Sequence, residues 1–273
     1  MIKRKIYELL TFTGLSQRGI FIPHRYISSF KNKRYSNLEK IFKKYTYKIK
    51  ENINLLSEYE NNLSILDESF KNPPRWDQDW FPRLDAASTY LMVRKKLPKK
   101  IVEIGSGHST RFITKGIKDN KNNCNLICID PQPRANISNL PYLTHIVTKL
   151  QDFEIEKFPF EKIDILFIDS SHILMPGSDV DIIFNHIIPE LNSGCLVHIH
   201  DIFLPEVYPS LWRWRNYNEQ TIVANLLTSN NWHIEWSSNY INTNLKEDID
   251  KNFLSQLPLV KGAIESSLWL QKI

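Results

Sequence analysis

Cysteine is scarce in this sequence, whose three cysteines are Cys124, Cys128 and Cys195, and no two of them form a CxxC pair. An odd number without that spacing argues against a disulfide framework or a zinc ribbon, so we expect buried, apolar thiols. The sequence also lacks any run near the roughly 18 apolar residues that a membrane span requires. Its basic start has no small-residue cleavage site, and a cytoplasmic location is therefore expected.

Acidic residues are rare at the start of the chain. Residues 1–50 contain 13 Lys and Arg but only Glu8 and Glu39, a net charge of +11, whereas the remainder carries −6. A basic segment of this kind can contact an anionic membrane surface, nucleic acid or an acidic partner. No RNA-binding or helix-turn-helix motif accompanies it, so specific nucleic-acid binding is not expected. We favour a solvated lysine-rich face, with peripheral contact of residues 1–50 with an anionic surface as the alternative.

Apolar residues recur every three or four positions over residues 36–70, the spacing of one face of a helix. They are Leu38, Phe42, Tyr45, Ile49, Ile53, Leu56, Tyr59, Leu63, Leu66 and Phe70. Pro73 and Pro74 then end the helical segment. This face is expected to pack on the main domain, and a coiled-coil contact in a homodimer is the alternative. We therefore predict a basic helical extension at 1–75 and one catalytic-size domain at 76–273.

The rest of the sequence alternates short apolar runs with helical stretches, which predicts an α/β fold with a parallel sheet wrapped by helices. The predicted strands are 101–104, 126–129, 144–147, 163–168 and 195–199, followed by 233–237 and 267–271.

The segment IVEIGSGHST at 101–110 has the pattern of a cofactor-binding loop. An apolar strand ends at Gly105, Gly107 lets the backbone approach a ligand, and the next helix begins near Ser109. Glu103 lies inside the strand, and Asp130 ends the next strand, where an acid can accept ribose hydroxyls. This arrangement predicts a site for a nucleotide-like cofactor.

The residue at position 110 favours one cofactor over another. The dinucleotide fingerprint GxGxxG needs a third glycine there, beside a pyrophosphate, but the sequence has Thr110. S-adenosylmethionine has no phosphate, so the loop favours this methyl donor over NAD. Gln151 and Asp152, after the third strand, are candidates for the adenine edge.

Acidic and histidine residues follow the next two predicted strands, at the sheet edge where ligands bind in α/β proteins. Asp169 and His172 end the first strand, and His200 and Asp201 end the second. His172 suits general-base work near neutral pH. A divalent cation held by the two aspartates could instead activate an acceptor oxygen. The residues are compatible with either mechanism.

An aromatic loop follows this edge. Trp212, Trp214 and Tyr217 alternate with arginines, and such rings can stack on a small-molecule or sugar acceptor. The alternative is that some of these rings pack in the core.

The motifs IVEIGSGHSTRF, CIDPQPR, FIDSSHILMPGSDVD and HIHDIFLPEVYPSLWRWRNYNEQ resemble the class I S-adenosylmethionine-dependent methyltransferases, in a bacterial branch of the methyltransferase-24 type. PRWDQDWFPRLDAAS resembles the same branch. The resemblance implies a Rossmann-like, seven-stranded, mostly parallel sheet with helices on both faces and an antiparallel C-terminal strand pair. It also implies methyl transfer, with an acceptor hydroxyl as our leading hypothesis.

The resemblance assigns residues to roles. The cofactor residues would be Glu103, Gly105, Ser106, Gly107, Ser109, Asp130, Gln151, Asp152 and Asp169. His172, Asp169 and Asp201 would be catalytic, and Asp169, His200 and Asp201 would hold a metal. Metal-using relatives have glutamate where this chain has His200, and imidazole suits zinc, iron, nickel or copper better than magnesium. A metal-dependent hydroxylase-like enzyme and a non-catalytic cofactor-binding scaffold are the alternative functions.

Overall fold

One sheet forms the centre of the fold. The computed structural model describes residues 2–66 and 71–273. The strands of this part of the chain are β1 (Lys100–Ile104), β2 (Asn125–Ile129), β3 (Leu143–Ile146), β4 (Ile165–Ile168), β5 (Leu196–Ile199), β6 (Trp232–Ser237) and β7 (Leu268–Lys272). They form a seven-stranded sheet in the order β3-β2-β1-β4-β5-β7-β6.

The first five strands pair in parallel, and β7 lies antiparallel to both β5 and β6. Residues of β4 and β5 are buried throughout, as expected for parallel strands whose two faces are both covered. The predicted Rossmann-like α/β fold with an antiparallel C-terminal pair is confirmed, and each observed strand overlaps its predicted range.

Helices connect and flank the strands. Their bounds are α1 (Ile2–Phe12), α2 (Glu39–Leu56), α3 (Glu60–Ser64), α4 (Arg83–Lys96), α5 (His108–Asn120), α6 (Asp179–Ile182), α7 (Glu219–Thr228), α8 (Ser238–Asn244) and α9 (Lys246–Asp250). A π-helical turn, Ile183–Ile187, continues α6, and a 3-10 helix, Ser210–Arg215, precedes α7.

The order of the strands reverses between β1 and β4. From β1 the chain runs through α5 to β2 on one side, whereas β4 pairs with the other side of β1. This reversal leaves a crevice at the carboxyl ends of the strands, which is where open α/β sheets bind ligands.

The apolar face of the extension is covered within the chain. Phe42 lies 5.2 Å from Tyr240 between ring centroids, and Tyr45 lies 5.2 Å from His233 in β6. The amide of Asn52 donates to the Glu235 backbone carbonyl at 2.8 Å. Because this face of α2 is buried against β6, a coiled-coil contact through it is wrong for α2. Phe70, the last residue of the predicted stripe, lies outside the described residues.

Contacts divide the chain into two compact units, Met1–Lys33 and Arg34–Ile273. The second unit includes α2 and the whole sheet. The boundary predicted between residues 75 and 76 stays a prediction. Over the described residues, every helix is too short or too polar to cross a bilayer.

Candidate active site

A cavity of about 830 Å³ lies at the carboxyl ends of β1, β2, β4 and β5. Its size is in the range of sites for small ligands and cofactors. The predicted site residues that line it are Gly105, Ser106, Ser109, Asp130, Gln151, Asp169, His172, His200, Asp201, Trp212 and Tyr217. The topology thus brings most of the predicted residues to one place, although they come from six separate segments of sequence.

The loop after β1 is held in place by two close contacts. Gly105 has a φ of +77°, and a Cβ at this position would lie 2.0 Å from the Asp169 carbonyl oxygen. Only glycine lets the two loops lie this close. At the next turn, the Gly107 N–H donates to the Thr110 hydroxyl at 2.9 Å. Thr110, which replaces the third glycine of a dinucleotide loop, therefore fixes the start of α5.

Asp130 lies at the end of β2 and faces the cavity. Its Oδ2 accepts hydrogen bonds from the Ser106 backbone N–H at 2.7 Å and the Ser106 hydroxyl at 2.9 Å, and its Oδ1 accepts from the Gln132 N–H at 2.7 Å. A carboxylate has about four acceptor positions, so capacity remains for a ligand hydroxyl. The bonds hold the carboxylate in a fixed orientation before any ligand arrives.

Glu103 does not reach the cavity. Its fully buried carboxyl accepts from the Ser109 hydroxyl at 2.6 Å and from the Cys128 thiol at 2.9 Å. Burial raises the pKa of Glu103 to about 7, although the hydrogen bonds from Cys128 and Ser109 oppose this shift. Glu103 thus links β1 to α5 and β2 rather than contacting a ligand in the cavity.

Glu103 makes the stability of the fold depend on pH. Because its pKa is raised in the folded protein, its contribution is full below the unfolded value of 4.5 and is lost as pH rises through about 7. We expect a loss of about 3 kcal/mol from this group across that interval. Urea unfolding of Glu103→Gln between pH 4.5 and 8 should lack this component. The exposed Glu161→Gln should keep the wild-type pH dependence, and parallel curves for the wild type and Glu103→Gln would contradict the assignment.

Three other predicted residues also lie away from the cavity lining. Gly107 contacts the segment after β2, where a Cβ would lie 3.1 Å from the Ala135 nitrogen. Asp152 has a side chain that is 65% exposed and pairs with Lys149. Trp214 is 62% exposed to solvent.

His172 is surrounded by carboxylates. Its Nδ1 lies 2.8 Å from Glu219 Oε2, while its Nε2 lies 3.3 Å from Asp169 Oδ1 and 3.4 Å from Asp201 Oδ2. The imidazole is 4% exposed, and its ring centroid lies 4.5 Å from that of Tyr217. The Nδ1–H donates to Glu219, so Nε2 is the nitrogen that faces Asp169 and Asp201.

These carboxylates control protonation of the imidazole. Burial alone would lower the pKa of His172, but the hydrogen bond with Asp169 and the charges of Asp201 and Glu219 raise it well above 6.5. Burial would raise the pKa of Asp169, but the charge of His200 and the hydrogen bond with His172 lower it to about 2. The surroundings of His172 therefore favour the protonated form of its imidazole, and those of Asp169 favour its carboxylate.

The predicted metal ligands are not arranged as a metal site. Among residues 2–66 and 71–273, no group of three or more His, Cys, Asp or Glu side chains is placed to hold an ion. Asp169 and Asp201 both face the Nε2 of His172, and His200 Nε2 lies 3.5 Å from Asp201 Oδ1. The donor set does not fit a resident metal, which the hydroxylase alternative requires.

Buried polar groups support the aspartate at the end of β5. The Ser266 hydroxyl donates to Asp201 Oδ1 at 3.0 Å, and the Ser266 backbone N–H donates to Asp85 at 3.0 Å. His198 is fully buried, stacks on Phe167 at 3.7 Å and has a pKa lowered well below 6.5 by burial. It is a neutral structural residue, in contrast to the two histidines at the cavity.

Rings and an arginine form one wall of the cavity. Trp212, Arg215 and Tyr217 line it. The Arg215 guanidinium lies 4.2 Å from the Trp212 ring and donates to the Tyr217 hydroxyl at 2.9 Å. This stacking fixes the rings in position.

Sequence reasoning missed part of the site. Glu219, fully buried at the start of α7, was not recognised, because no local motif marks a carboxylate that pairs with a histidine 47 residues away. Residues 79–81 and 262–264 also line the cavity. Residues 79–81 belong to PRWDQDWFPRLDAAS, whose resemblance to the family was the available signal.

The cavity fits S-adenosylmethionine. Asp130 is oriented for a hydroxyl-bearing ligand, and the loop at Gly105 lies in contact with Asp169. The cofactor carries a sulfonium charge, and the carboxylates of Asp169 and Asp201 line the same cavity. A cationic centre is favoured beside such groups.

A family model matches part of the chain. Residues 102–202 match the methyltransferase-24 family, described as a methyltransferase domain. No curated protein sequence matches the chain.

Several solved structures are similar. The methyltransferase PaMTH1 of Podospora anserina, bound to S-adenosylhomocysteine, is 13% identical over 93% of this chain and 99% of its own, with a TM-score of 0.45. The plantazolicin methyltransferase BpumL, in complex with a monoazolic desmethylplantazolicin analog and S-adenosylhomocysteine, is 15% identical over 85% and 99%, with a TM-score of 0.46. The O-methyltransferase TomG of Streptomyces achromogenes, in complex with S-adenosylmethionine, is 10% identical over 81% and 89%, with a TM-score of 0.42.

The matched segment runs from β1 to the residue after Asp201, and so contains the loop at Gly105, Asp130 and the rim residues Asp169 and His172. Residues 102–202 are thus similar to the methyltransferase domain of the methyltransferase-24 family, and this match supports the resemblance of the chain's motifs to the class I S-adenosylmethionine-dependent methyltransferases.

Proposed function

We propose that this methyltransferase transfers the methyl group of S-adenosylmethionine to a hydroxyl oxygen of a small molecule or sugar. The observation that carries the proposal is the position of His172 at the cavity, with Nδ1 held by Glu219 and Nε2 beside Asp169 and Asp201. A hydroxyl must lose its proton as it is methylated, and a positioned imidazole is suited to accept it.

When bound, S-adenosylmethionine supplies an electrophilic methyl group on a sulfonium. Asp130 would hold its ribose, and the loop at Gly105 and Ser106 would contact the rest of the cofactor. His172 would take the acceptor proton at Nε2, and the charge that forms on the ring would be stabilised by Glu219. The chain would also hold the methyl donor and the acceptor hydroxyl in line. Such positioning supplies a large part of the rate enhancement of enzymes that join two reactants.

The rings of Trp212 and Tyr217 support a ring-shaped acceptor. They lie against Arg215, which keeps them in fixed positions on the wall beside His172. Aromatic faces next to carboxylates suit sugars and other polyhydroxylated rings, since the rings stack and the carboxylates accept hydroxyl hydrogens. The predicted homodimer and cytoplasmic location remain predictions.

The cofactor assignment is tested at Asp130. Replacing Asp130 by Ala should weaken S-adenosylhomocysteine binding by about 10- to 100-fold, because a bond between a hydroxyl and a charged acceptor is lost. Isothermal titration calorimetry measures the effect. Asp152→Ala is the matched control, since its carboxylate is exposed and lies outside the cavity lining. Equal affinities for the wild type and Asp130→Ala would refute the ribose role of Asp130.

The acceptor class is tested with labelled methyl donor. The protein is incubated with methyl-labelled S-adenosylmethionine and a metabolite extract, and labelled products are identified by mass spectrometry. A methyl ether survives mild alkaline hydrolysis, whereas a methyl ester releases methanol. Label that is stable and bound to oxygen supports the proposal, and an alkali-labile or nitrogen-bound label contradicts it.

A further inference from the structure

The described side chains of residues 5–33 form no buried core. None of them is buried, and the buried core of the described chain begins at Leu38. Ten large apolar side chains of this segment are between 50% and 79% exposed: Ile6, Leu9, Phe12, Leu15, Ile20, Phe21, Ile22, Tyr26, Ile27 and Phe30. They are half of all such exposed residues in the described chain. Apolar surface at this density marks an interaction site.

The same segment carries the positive charge of the protein. Residues 1–33 contain seven Lys and Arg against Glu8, a net charge of +6, whereas residues 34–273 carry −1. The cations lie among the apolar residues rather than apart from them: the Arg18 guanidinium is 5.7 Å from the Tyr7 ring, and that of Arg25 is 5.3 Å from the Tyr26 ring. Such interleaving fits a surface that is anionic outside and apolar beneath.

We propose that residues 5–33 bind the surface of an anionic lipid bilayer, inserting their ten exposed apolar side chains at the headgroup level. Helix α1 has 11 residues and is therefore about 16 Å long, roughly half the hydrocarbon thickness of a bilayer. By helical spacing, Ile6 and Leu9 share one face, and both are exposed. A helix of this length lies in the interface and does not cross it.

Other partners fit these residues less well. Six of the ten exposed apolar side chains are Ile or Leu, which cannot stack on bases but gain from leaving water for hydrocarbon. A second copy of the segment carries the same +6 charge and would repel it. An anionic bilayer matches both the charge and the apolar surface of the segment, because its headgroup phosphates attract the cations and its acyl chains accept the apolar side chains.

The proposal is tested by flotation of the full chain with vesicles. One set contains phosphatidylcholine alone, and the other contains about 30% phosphatidylglycerol. We expect binding to the anionic vesicles that falls in 0.5 M NaCl, because salt screens the attraction. Equal binding to both vesicle types, or binding to neither, would overturn the proposal.

Two double variants separate the charge from the apolar contribution. Arg18→Gln with Arg25→Gln should weaken partitioning by about 25-fold, from roughly fivefold per cation. Leu9→Ser with Phe21→Ser should weaken it by at least about tenfold. Val147→Ser, at a residue 69% exposed in the other unit, is the matched control and should bind as the wild type does. Unfolding temperatures should be unchanged, since neither double variant touches the core.

An alternative ligand is tested in the same samples. If single-stranded RNA binds more tightly than anionic vesicles and competes with them, and if only the arginine variant loses this binding, the segment is a nucleic-acid arm and the lipid proposal is wrong. Loss of vesicle binding in the Leu9 and Phe21 variant, with RNA binding unaffected, supports lipid insertion.

Discussion

Replacement of His172 by Ala is expected to lower kcat for methyl transfer by about 100- to 10,000-fold, the usual contribution of a positioned general base. S-adenosylhomocysteine affinity should change far less, because Asp130 and the loop at Gly105 are untouched. Initial rates with a labelled methyl donor, together with calorimetry, measure the two effects. Unchanged rates for His172→Ala would favour a cofactor-binding scaffold or chemistry that needs no base at this position.

The rate of the wild-type enzyme should rise with pH above neutrality. His172 must be neutral to accept a proton. Burial favours that neutral form, but Asp169, Asp201 and Glu219 outweigh burial and raise the pKa well above 6.5, so the neutral form gains as pH rises. His200, Arg215 and Tyr217 also face this group. The rising limb of kcat against pH therefore reports the imidazole and its neighbours as a coupled set.

The pH profile of Glu219→Gln tests more directly whether Glu219 controls protonation of His172. The variant keeps a hydrogen-bond acceptor for Nδ1 of His172 but removes the negative charge, so the rising limb should move to lower pH. A purely structural role of Glu219 would lower stability without moving the limb. Glu161→Gln, at an exposed carboxyl, is the control and should leave the profile unchanged. A shift to higher pH, or none, would contradict the positioning role of Glu219.

Strands β1, β2, β4 and β5 were predictable from the sequence because parallel strands buried on both faces appear as short, continuous apolar runs. The predicted range 101–104 differs from β1 by one residue, and 195–199 differs from β5 by one residue. The N-terminal end of β4 is the larger difference: strand pairing begins at Ile165, although the apolar run begins at Ile163. Apolar runs mark burial, whereas strand ends depend on pairing with neighbours.

The candidate site was predictable wherever a residue directly follows a strand. The sheet brings all carboxyl ends to one edge, so Asp130, Asp169 and Asp201 reach the cavity through topology alone. Glu219 depends on how α7 packs, and no spacing rule in the sequence indicates that contact. Glu103 was predicted at the cofactor because of its motif, but its side chain faces α5 and forms bonds inside the core.

The aromatic loop is a second case in which the sequence did not show which side chains reach the cavity. Trp212 lines the cavity, whereas Trp214, two residues later, is exposed. The segment is a 3-10 helix, in which side chains two positions apart emerge about 120° apart. The two rings therefore cannot share one wall, and the sequence alone did not show whether this loop was helical or extended.

Gly105→Ala is expected to damage both the fold and the cofactor site. The added Cβ would lie 2.0 Å from the Asp169 carbonyl oxygen and 3.0 Å from the Asp169 carbonyl carbon, and backbone atoms cannot rotate away as a side chain can. The loop after β1 must therefore separate from the loop after β4, at the place where both line the cavity. We expect destabilisation of about 2–4 kcal/mol from overpacking and backbone strain together. S-adenosylhomocysteine affinity should fall at least about tenfold, since both displaced loops line the cavity.

Gly177→Ala separates these two causes. Gly177 has a φ of +78°, nearly that of Gly105, but its Cβ would meet no atom within 4 Å. This variant carries the cost of the left-handed backbone alone, about 1 kcal/mol, and should bind S-adenosylhomocysteine normally. Urea unfolding and calorimetry of both variants measure the difference. If the two variants lose equal stability and both retain full affinity, the loops after β1 and β4 are not in the contact that this structure shows, and the cofactor site proposed between them is wrong.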